Sequence, residues 1–509
     1  MRLPLLRILL FASLWVGTTA AYASHIIGGE LAFEPVDGST NQYHIIARLY
    51  QDISSLQVIV GPSLTLICGR NSCLKTAPGS FTAELSLTQR RRSSLTCSSS
   101  PTYEMAVFEG IVTLPPARWT LSISQENRRS NSYNVIDSYM RDIHVEALLD
   151  NSSGLTDFSP KFTSFTLPYI MGNEVNRYSF SAFDQDGDSL VYSSVQPLAS
   201  LQGEGECSNA ISYSTSAGGE FVDPVTGLKV PYGPVQFTPA FPFLSYQVTN
   251  GTAVPFFQLN ATTGELVTRS INLGSAIVAV HVDEYRQLGG SWRHIGSVTR
   301  DVTYLVLSVQ ENHNPTITEV KVAGAAASQP ADRVIPVRPG QSVSLTLTAA
   351  DPDAGQTLRL SSDVAATIPG ASFQTLPNNQ AQLSWQVPAE LPLGRYSFTV
   401  TVADNSCPMN GSEVRTITFL VTNKVLATHN RQPLAQPAFP VPFHEQVQFQ
   451  LTTHKAQPIL IVDELGRTVD QLTSHIDGTV IWQPASTILP GLYIARTIDG
   501  QQLQRLIRQ

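Results

Sequence analysis

Hydrophobic and polar residues alternate in many short segments of this chain. The pattern is clearest between residues 313 and 424, where Val343 and Leu345 are separated by Ser. It recurs at residues 396–402 and 417–421, with Pro and Gly between the segments. Because successive side chains of a strand point to opposite faces, this period of two predicts strands with one buried face. About 110 residues of this kind suit one immunoglobulin-like or cadherin-like β-sandwich.

Segments on both sides of this region have the same character. Further predicted strands lie at residues 43–50, 103–114, 162–167, 302–309 and 459–462. We therefore predict an all-β protein with several immunoglobulin-like or cadherin-like β-sandwich domains in tandem. The expected domains are residues 24–160, 161–312, 313–424 and 437–509, and residues 425–436 are interpreted as a linker because they lack an apolar pattern.

Composition supports this organisation and excludes one class of partner. The 509 residues include 33 Gly and 33 Pro, and only 14% are charged, which suits short strands joined by turns. The formal net charge is −8, without a basic stripe. Nucleic-acid binding needs clustered Lys and Arg to contact phosphates, so we expect no nucleic-acid partner.

The first residues have the pattern of a secretory signal peptide. Arg2 and Arg7 flank the start of an apolar run at residues 8–17, and the small residues Ala21 and Ala23 follow. This pattern predicts a signal peptide at residues 1–23. The run is shorter than the roughly twenty residues needed to cross a bilayer, and no later stretch is long enough. We expect a secreted or surface-attached mature chain without a transmembrane segment.

The chain has five cysteines, and export would place them where disulfides persist. They are Cys68, Cys73, Cys97, Cys207 and Cys407. Cys68 and Cys73 are close enough in sequence to staple a loop, and the odd count leaves at least one thiol free or paired between molecules. The absence of a C-x-x-C pair argues against a cysteine-rich zinc site.

Residues 437–509 contain several motifs in a fixed order. They are PVPF at 440–443, an alternating strand at 446–451, IVDELGRTV at 461–469, GLYIAR at 491–496 and a basic tail at 505–508. This series resembles the type A C-terminal sorting domain of type IX secretion cargo, although Val441 replaces the usual Asn and the tail has Arg where Lys is common. The resemblance implies the type IX secretion machinery as a partner and the surface of a Gram-negative bacterium as the destination. One more immunoglobulin-like repeat is the alternative.

The predicted mature N-terminus begins with SHIIGGEL at residues 24–31. Further motifs are LYQD at 49–52, EGIVTLP at 109–115, FDQDGDSLVY at 183–192, VDEYR at 282–286 and IGSVTRD at 295–301. Together they resemble the S-H-I-x-G-G-E-[LI] group of large bacterial surface proteins, which have no established catalytic activity in this region. Ile53 stands where that group has a Cys, so its disulfide framework is not carried over.

Asp184, Asp186 and Asp188 occupy every second position of one short segment, with Gly187 between them. Carboxylates that converge in a turn supply the oxygen ligands that calcium prefers. An EF-hand is excluded, because its twelfth position would be Val195 rather than an acid. The alternative is a plain tight turn, which Asp and Gly favour.

Asp351 and Asp353 repeat this character in the third region, where Asp404 follows later. We predict that these acids lie at an edge between strands or domains, as in a cadherin-like calcium site. The candidate metal ligands are therefore Asp184, Asp186, Asp188, Asp351 and Asp353, with calcium as the one expected cofactor.

No combination of residues predicts catalysis. Asp283 and Glu284 are adjacent, so on a strand they point to opposite faces and cannot act as the paired carboxylates of a glycosidase. Neither H-E-x-x-H nor G-x-S-x-G is present. We expect a non-enzymatic surface protein with an adhesive or structural role and an unknown glycan or protein ligand. The alternatives are a secreted carbohydrate-binding or carbohydrate-degrading protein and an accessory component of gliding or secretion machinery.

Overall fold

The computed structural model describes residues 25–53, 60–93, 102–126, 128, 132–200, 207–308, 312–407, 409–423, 434–453, 455–464, 466–498 and 502–509. The predicted signal peptide and residues 425–433 of the predicted linker lie outside the described residues. Strands dominate, which confirms the all-β prediction. The helical segments of the described chain are a 3₁₀ turn at Ser138–Met140 and the short α-helix α1 at Val364–Thr367. No helix in these ranges is long and apolar enough to cross a membrane.

Residues 25–307 form an N-terminal body built from strands β1 to β24. The strands are β1 (His25–Pro35), β2 (Gln42–Asp52), β3 (Ser63–Arg70), β4 (Phe81–Arg92), β5 (Tyr103–Thr113), β6 (Arg118–Gln125), β7 (Ile143–Asp150), β8 (Lys161–Phe162), β9 (Tyr169–Met171), β10 (Asn176–Ser179), β11 (Ala182–Phe183), β12 (Ser189–Val195), β13 (Leu198–Ala199), β14 (Asn209–Ala210), β15 (Thr215–Ser216), β16 (Gly219–Val222), β17 (Lys229–Tyr232), β18 (Val235–Gln236), β19 (Tyr246–Thr249), β20 (Thr252–Pro255), β21 (Phe257–Leu259), β22 (Glu265–Thr268), β23 (Gly274–Leu288) and β24 (Ser291–Leu307).

The long strand β24 closes the main sheet of this body into a ring. On one side β24 pairs with β23. On its other side, Gly296–Val298 pair with β7 and Arg300–Val302 pair with β1. From β1 the ladder continues through β2, β5, β4, β3 and β6 to β7, so eight antiparallel strands return to their starting point.

The ring gives the N-terminal body one main hydrophobic core. Phe33 and Phe108 in this core come from the first part of the body, and Val280 and Val302 come from the last part. The expected division at residue 160 is therefore wrong, because residues 24–160 and 161–312 share one sheet and one core. Alternation along a strand shows which face is buried, but it does not identify the strand's partner.

Residues 313–423 form a sandwich of two four-stranded sheets. Its strands are β25 (Thr316–Val322), β26 (Ile335–Val337), β27 (Ser342–Ala350), β28 (Arg359–Ser361), β29 (Ala371–Leu376), β30 (Gln380–Gln386), β31 (Gly394–Ala403) and β32 (Ser412–Val421). The sheets have the orders β25-β27-β30-β29 and β26-β32-β31-β28. Trp385 fills the core between them, against Phe398 and Phe419.

Residues 434–509 form a second, smaller sandwich with its own core around Phe443, Trp482 and Tyr493. Its strands are β33 (Gln436–Phe439), β34 (Val447–Gln450), β35 (Pro458–Asp463), β36 (Thr468–Thr473), β37 (Thr479–Trp482), β38 (Gly491–Thr497) and β39 (Leu503–Arg508). They form the sheets β33-β34-β37 and β36-β35-β38-β39.

Candidate cation site

The three alternating aspartates lie in the turn between β11 and β12. Asp184 and Asp188 are buried, whereas Asp186 is half-buried. The Asp188 backbone N–H donates a hydrogen bond of 3.0 Å to Asp184 Oδ1, which closes the turn. Gly187 has a φ of 73°, a conformation that glycine adopts without strain.

Two further acids approach this turn from other parts of the N-terminal body. Asp157 follows β7, and Glu284 lies in β23. One carboxylate oxygen each from Asp157, Asp188 and Glu284 lie within 4.8 Å of one another, and all three side chains are buried. We name Asp157, Asp184, Asp188 and Glu284 the acidic cage.

Several oxygen atoms of the acidic cage have no hydrogen-bond donor among the described residues. They are both carboxylate oxygens of Glu284, Oδ2 of Asp157 and Oδ2 of Asp184. Glu284 is 0% exposed and Asp157 is 1% exposed, so water does not replace the missing donors freely. A buried ionised carboxylate without a partner costs several kcal/mol. The cage therefore needs either protons or a cation.

The pKa shifts of the cage carboxyls agree with this geometry. Burial, and then the negative charge of Asp188, raises the pKa of Asp184 to about 7. Burial, and then the neighbouring carboxylates, raises the pKa of Glu284 well above its usual range. The pKa of Asp157 is also raised well above its usual value by burial, although Arg286 opposes this shift.

Arg286 of β23 is the cation in contact with these acids. Its Nη2 lies 2.7 Å from Asp157 Oδ1, 2.6 Å from Asp186 Oδ2 and 2.6 Å from Asp188 Oδ2. Asp184 and Glu284 form no ion pair with it among the described contacts. One guanidinium therefore faces five carboxyl groups, counting Asp186, and it cannot balance all of them in their ionised form.

A glycine borders the acidic cage on β24. A Cβ atom at Gly296 would lie 2.6 Å from Glu284 Oε2, 3.1 Å from the Leu148 carbonyl oxygen and 3.2 Å from Asp157 Oδ2. The first distance is too short for a Cβ atom and the other two are tight, so oxygen atoms from three chain segments converge on a position without a side chain. Hard oxygen donors arranged in this way suit a calcium ion.

Asp351 and Asp353 do not join the acidic cage. Asp353 accepts hydrogen bonds from the His313 backbone N–H at 2.7 Å and from His313 Nδ1 at 2.9 Å. Asp351 Oδ1 accepts the Asp353 N–H at 2.8 Å. Both carboxylate oxygens of Asp404 accept a hydrogen bond from the Gly411 backbone N–H. The predicted set of five aspartates is thus divided between two places in the fold.

The sequence interpretation missed the roles of Asp157 and Glu284. Glu284 had a detectable signal, because Val280, Val282 and Glu284 occupy alternate positions of one strand and share its buried face. The opposite orientation of Asp283 is confirmed: its Oδ1 contacts His294 Nε2 at 2.8 Å on the outer face. Asp157 lies in a loop, where no periodic pattern indicates burial.

The cysteines differ from the expected loop staple. Cys73 forms a disulfide with Cys207, with a Cα–Cα distance of 5.3 Å, and Cys407 is also disulfide-bonded. Cys68 is a free, buried thiol, and burial raises its pKa to about 12. Cys68 lies in β3 with its side chain in the core, so it cannot reach the partner suggested by sequence proximity. Cys97 lies outside the described residues.

The four tryptophans after the predicted signal peptide bear on the carbohydrate alternative. Trp119, Trp385 and Trp482 are buried. Trp292 is half-buried beneath the Arg467 guanidinium, whose carbon lies 5.4 Å from the ring centre. An exposed tryptophan platform for a sugar ring is therefore not formed by any of the four.

No protein-family model matches the chain, and no curated protein matches it. Among solved structures, a fragment of titin matches with 8% identity and a TM-score of 0.14, over 69% of this chain and 97% of that chain. Extracellular domains 3–5 of Drosophila OTK match with 11% identity and a TM-score of 0.13, over 69% and 97%. Escherichia coli alpha-2-macroglobulin activated by porcine elastase matches with 10% identity and a TM-score of 0.14, over 96% and 44%. Likeness at this level does not support an inference about function.

Proposed function

We propose that this chain is an exported, non-enzymatic cell-surface protein with an adhesive or structural role, and that one divalent cation, calcium, holds its N-terminal body together. The acidic cage carries the cation proposal, because unpaired carboxylate oxygens from separate chain segments meet in the interior. Asp157, Asp188 and Glu284 would bind the ion, and Asp184 lies beside them.

The donor set favours calcium over other common metals. All the cage ligands are carboxylate oxygens, which calcium prefers, whereas structural zinc sites use mainly Cys and His. Magnesium demands a near-ideal octahedron and retains several waters, which a buried cage excludes. A divalent ion would offset the negative charge that Arg286 leaves uncompensated.

The proposal of export rests on cysteine chemistry together with the N-terminal pattern. The Cys73–Cys207 disulfide joins segments 134 residues apart, and such bonds persist in oxidising compartments. Residues 437–509 would address the chain to the outer face of the outer membrane through the type IX secretion machinery. The ligand of a surface protein of this kind would be a glycan or another protein.

Thermal unfolding of the mature chain, with calcium and with a chelator, tests the cation proposal. Calcium at 100 times its Kd should stabilise the folded state by about 2.7 kcal/mol. In Glu284→Gln, the shape is kept and the charge is removed, so we expect normal folding in chelator and no gain from calcium.

Asp283→Asn is the matched control, because Asp283 is the preceding residue on the same strand and faces outward. This variant should keep the full calcium-dependent gain in melting temperature. Identical melting curves of the unaltered chain with and without calcium would contradict the proposal.

A further inference from the structure

The turn that contributes two cage carboxylates also touches the sandwich of residues 313–423. On its inner side, the turn presents Asp184 and Asp188 to the acidic cage. On its outer side, a Cβ atom at Gly187 would lie 2.7 Å from Tyr396 Oη and 2.9 Å from Pro392 Cβ. The backbone of the turn therefore packs directly against the sandwich, without an intervening side chain.

Phe183 fixes this contact immediately before the first aspartate. It is 3% exposed, and it belongs to the hydrophobic core of the sandwich rather than to the core of its own body. Its ring centre lies 5.4 Å from that of Tyr396, which in turn contacts Trp385. The segment that carries the ligands is thus anchored in a neighbouring domain.

Buried hydrogen bonds extend the same interface. Ser179 Oγ and Ser181 Oγ lie 2.9 Å and 2.8 Å from Thr416 Oγ1 of β32. Thr399 Oγ1 of β31 donates a hydrogen bond of 2.6 Å to the Thr163 carbonyl oxygen. The sandwich is consequently docked on residues 163–187 by apolar and polar contacts.

We infer that cation binding in the acidic cage and docking of the 313–423 sandwich are coupled through the Phe183–Asp188 turn. The inference rests on the proposed cation site. Docking holds the turn in the conformation that presents Asp184 and Asp188, and the cation removes the repulsion that otherwise opens the turn. Because coupling between two binding events is reciprocal, each should strengthen the other.

Calcium titration of the full mature chain and of Phe183→Ala tests the coupling. Phe183 supplies no ligand, so a change in calcium affinity must act through docking. We expect affinity to fall at least about five-fold, the lower range of typical coupling. Strand β31 holds no cage ligand. In the unaltered chain, calcium should increase the protection of the β31 amides against hydrogen exchange, and Phe183→Ala should reduce this increase.

Phe373→Ala is the matched control, because Phe373 of β29 also packs on the sandwich core but makes none of the ring contacts or hydrogen bonds described for the turn. It should leave calcium affinity unchanged. If Phe183→Ala unfolds the sandwich, Phe183→Leu provides the same comparison in a folded chain. Unchanged calcium affinity in a folded Phe183 variant, with no effect of calcium on β31 exchange, would overturn the coupling and leave the cation site standing. Failure of the unaltered chain to bind calcium would instead remove both proposals.

Discussion

Two kinds of buried charge occur in the N-terminal body, and they differ in whether each charge has a partner. Arg128 Nη1 and Nη2 donate hydrogen bonds of 2.7 Å and 2.9 Å to the two oxygens of Asp301. Both side chains are 1% exposed, and a third bond joins Arg128 to the Leu198 carbonyl oxygen. Glu284 is equally buried without a donor. Burial alone therefore does not distinguish the Arg128–Asp301 pair from Glu284, whereas the presence of a paired cation does.

Mutation of the Arg128–Asp301 pair should lower the free energy of unfolding, whereas Glu284→Gln should fold normally in chelator. Asp301→Ala leaves the Arg128 guanidinium buried without its counter-charge, so the free energy of unfolding should fall by about 3–5 kcal/mol. Denaturant titration measures this loss. Glu220→Ala, which removes the partner of the exposed Lys229, should leave stability unchanged. An Asp301→Ala variant as stable as the unaltered chain would show that the pair does not hold the fold.

At the scale of elements, one disulfide connects two parts of the N-terminal body that are far apart in sequence. Cys73 follows β3, which is one of the eight ring strands. Cys207 precedes β14, which is the end strand of the main sheet. The small sheets β15-β18 and β16-β17 follow β14 along the chain. The bond thus ties the ring to the segment from which these small sheets continue.

Loss of this disulfide should destabilise the N-terminal body. Removing a crosslink that closes a long loop increases the conformational entropy of the unfolded chain, and we expect Cys73→Ser/Cys207→Ser to lower the free energy of unfolding by about 2–4 kcal/mol. Denaturant titration under non-reducing conditions tests this. Cys68→Ala keeps the crosslink and serves as the comparison, and equal stability of the double variant and this comparison would refute the expectation.

At the scale of the whole molecule, residues 434–509 have a hydrophobic core of their own. Deletion of this sandwich would remove no residue from the cores of the N-terminal body and of the 313–423 sandwich. A separate core would suit the sorting role proposed for residues 437–509, because such a domain could be recognised or removed without unfolding the rest of the chain.

Deletion of residues 437–509 should trap the chain in the periplasm of its host. Protease accessibility on intact cells, together with cell fractionation, measures the location. The truncated protein should retain its calcium-dependent gain in melting temperature, which shows that it is folded. Undiminished surface display of the truncated chain would rule out type IX delivery through this segment.

The sequence allowed prediction of local structure more readily than of long-range pairing. The period of two identified the strands around Val343 and Leu345, because alternation is a property of one strand. It also contained the signal for Glu284, in line with Val280 and Val282. Asp157 could not be found in this way, because its burial depends on a loop held by strands more than a hundred residues later. The division at residue 160 failed for the same reason.

The ring of eight strands imposes an order of assembly on a chain that is synthesised from its N-terminus. β1 begins at His25, but its outer edge is covered only when Arg300–Val302 arrive. Until then the first strands expose an open hydrogen-bonding edge and only part of the core, so the ring cannot close. β24 is the last of the eight ring strands to be synthesised, so a chain that stops short of β24 leaves β1 without its second partner strand.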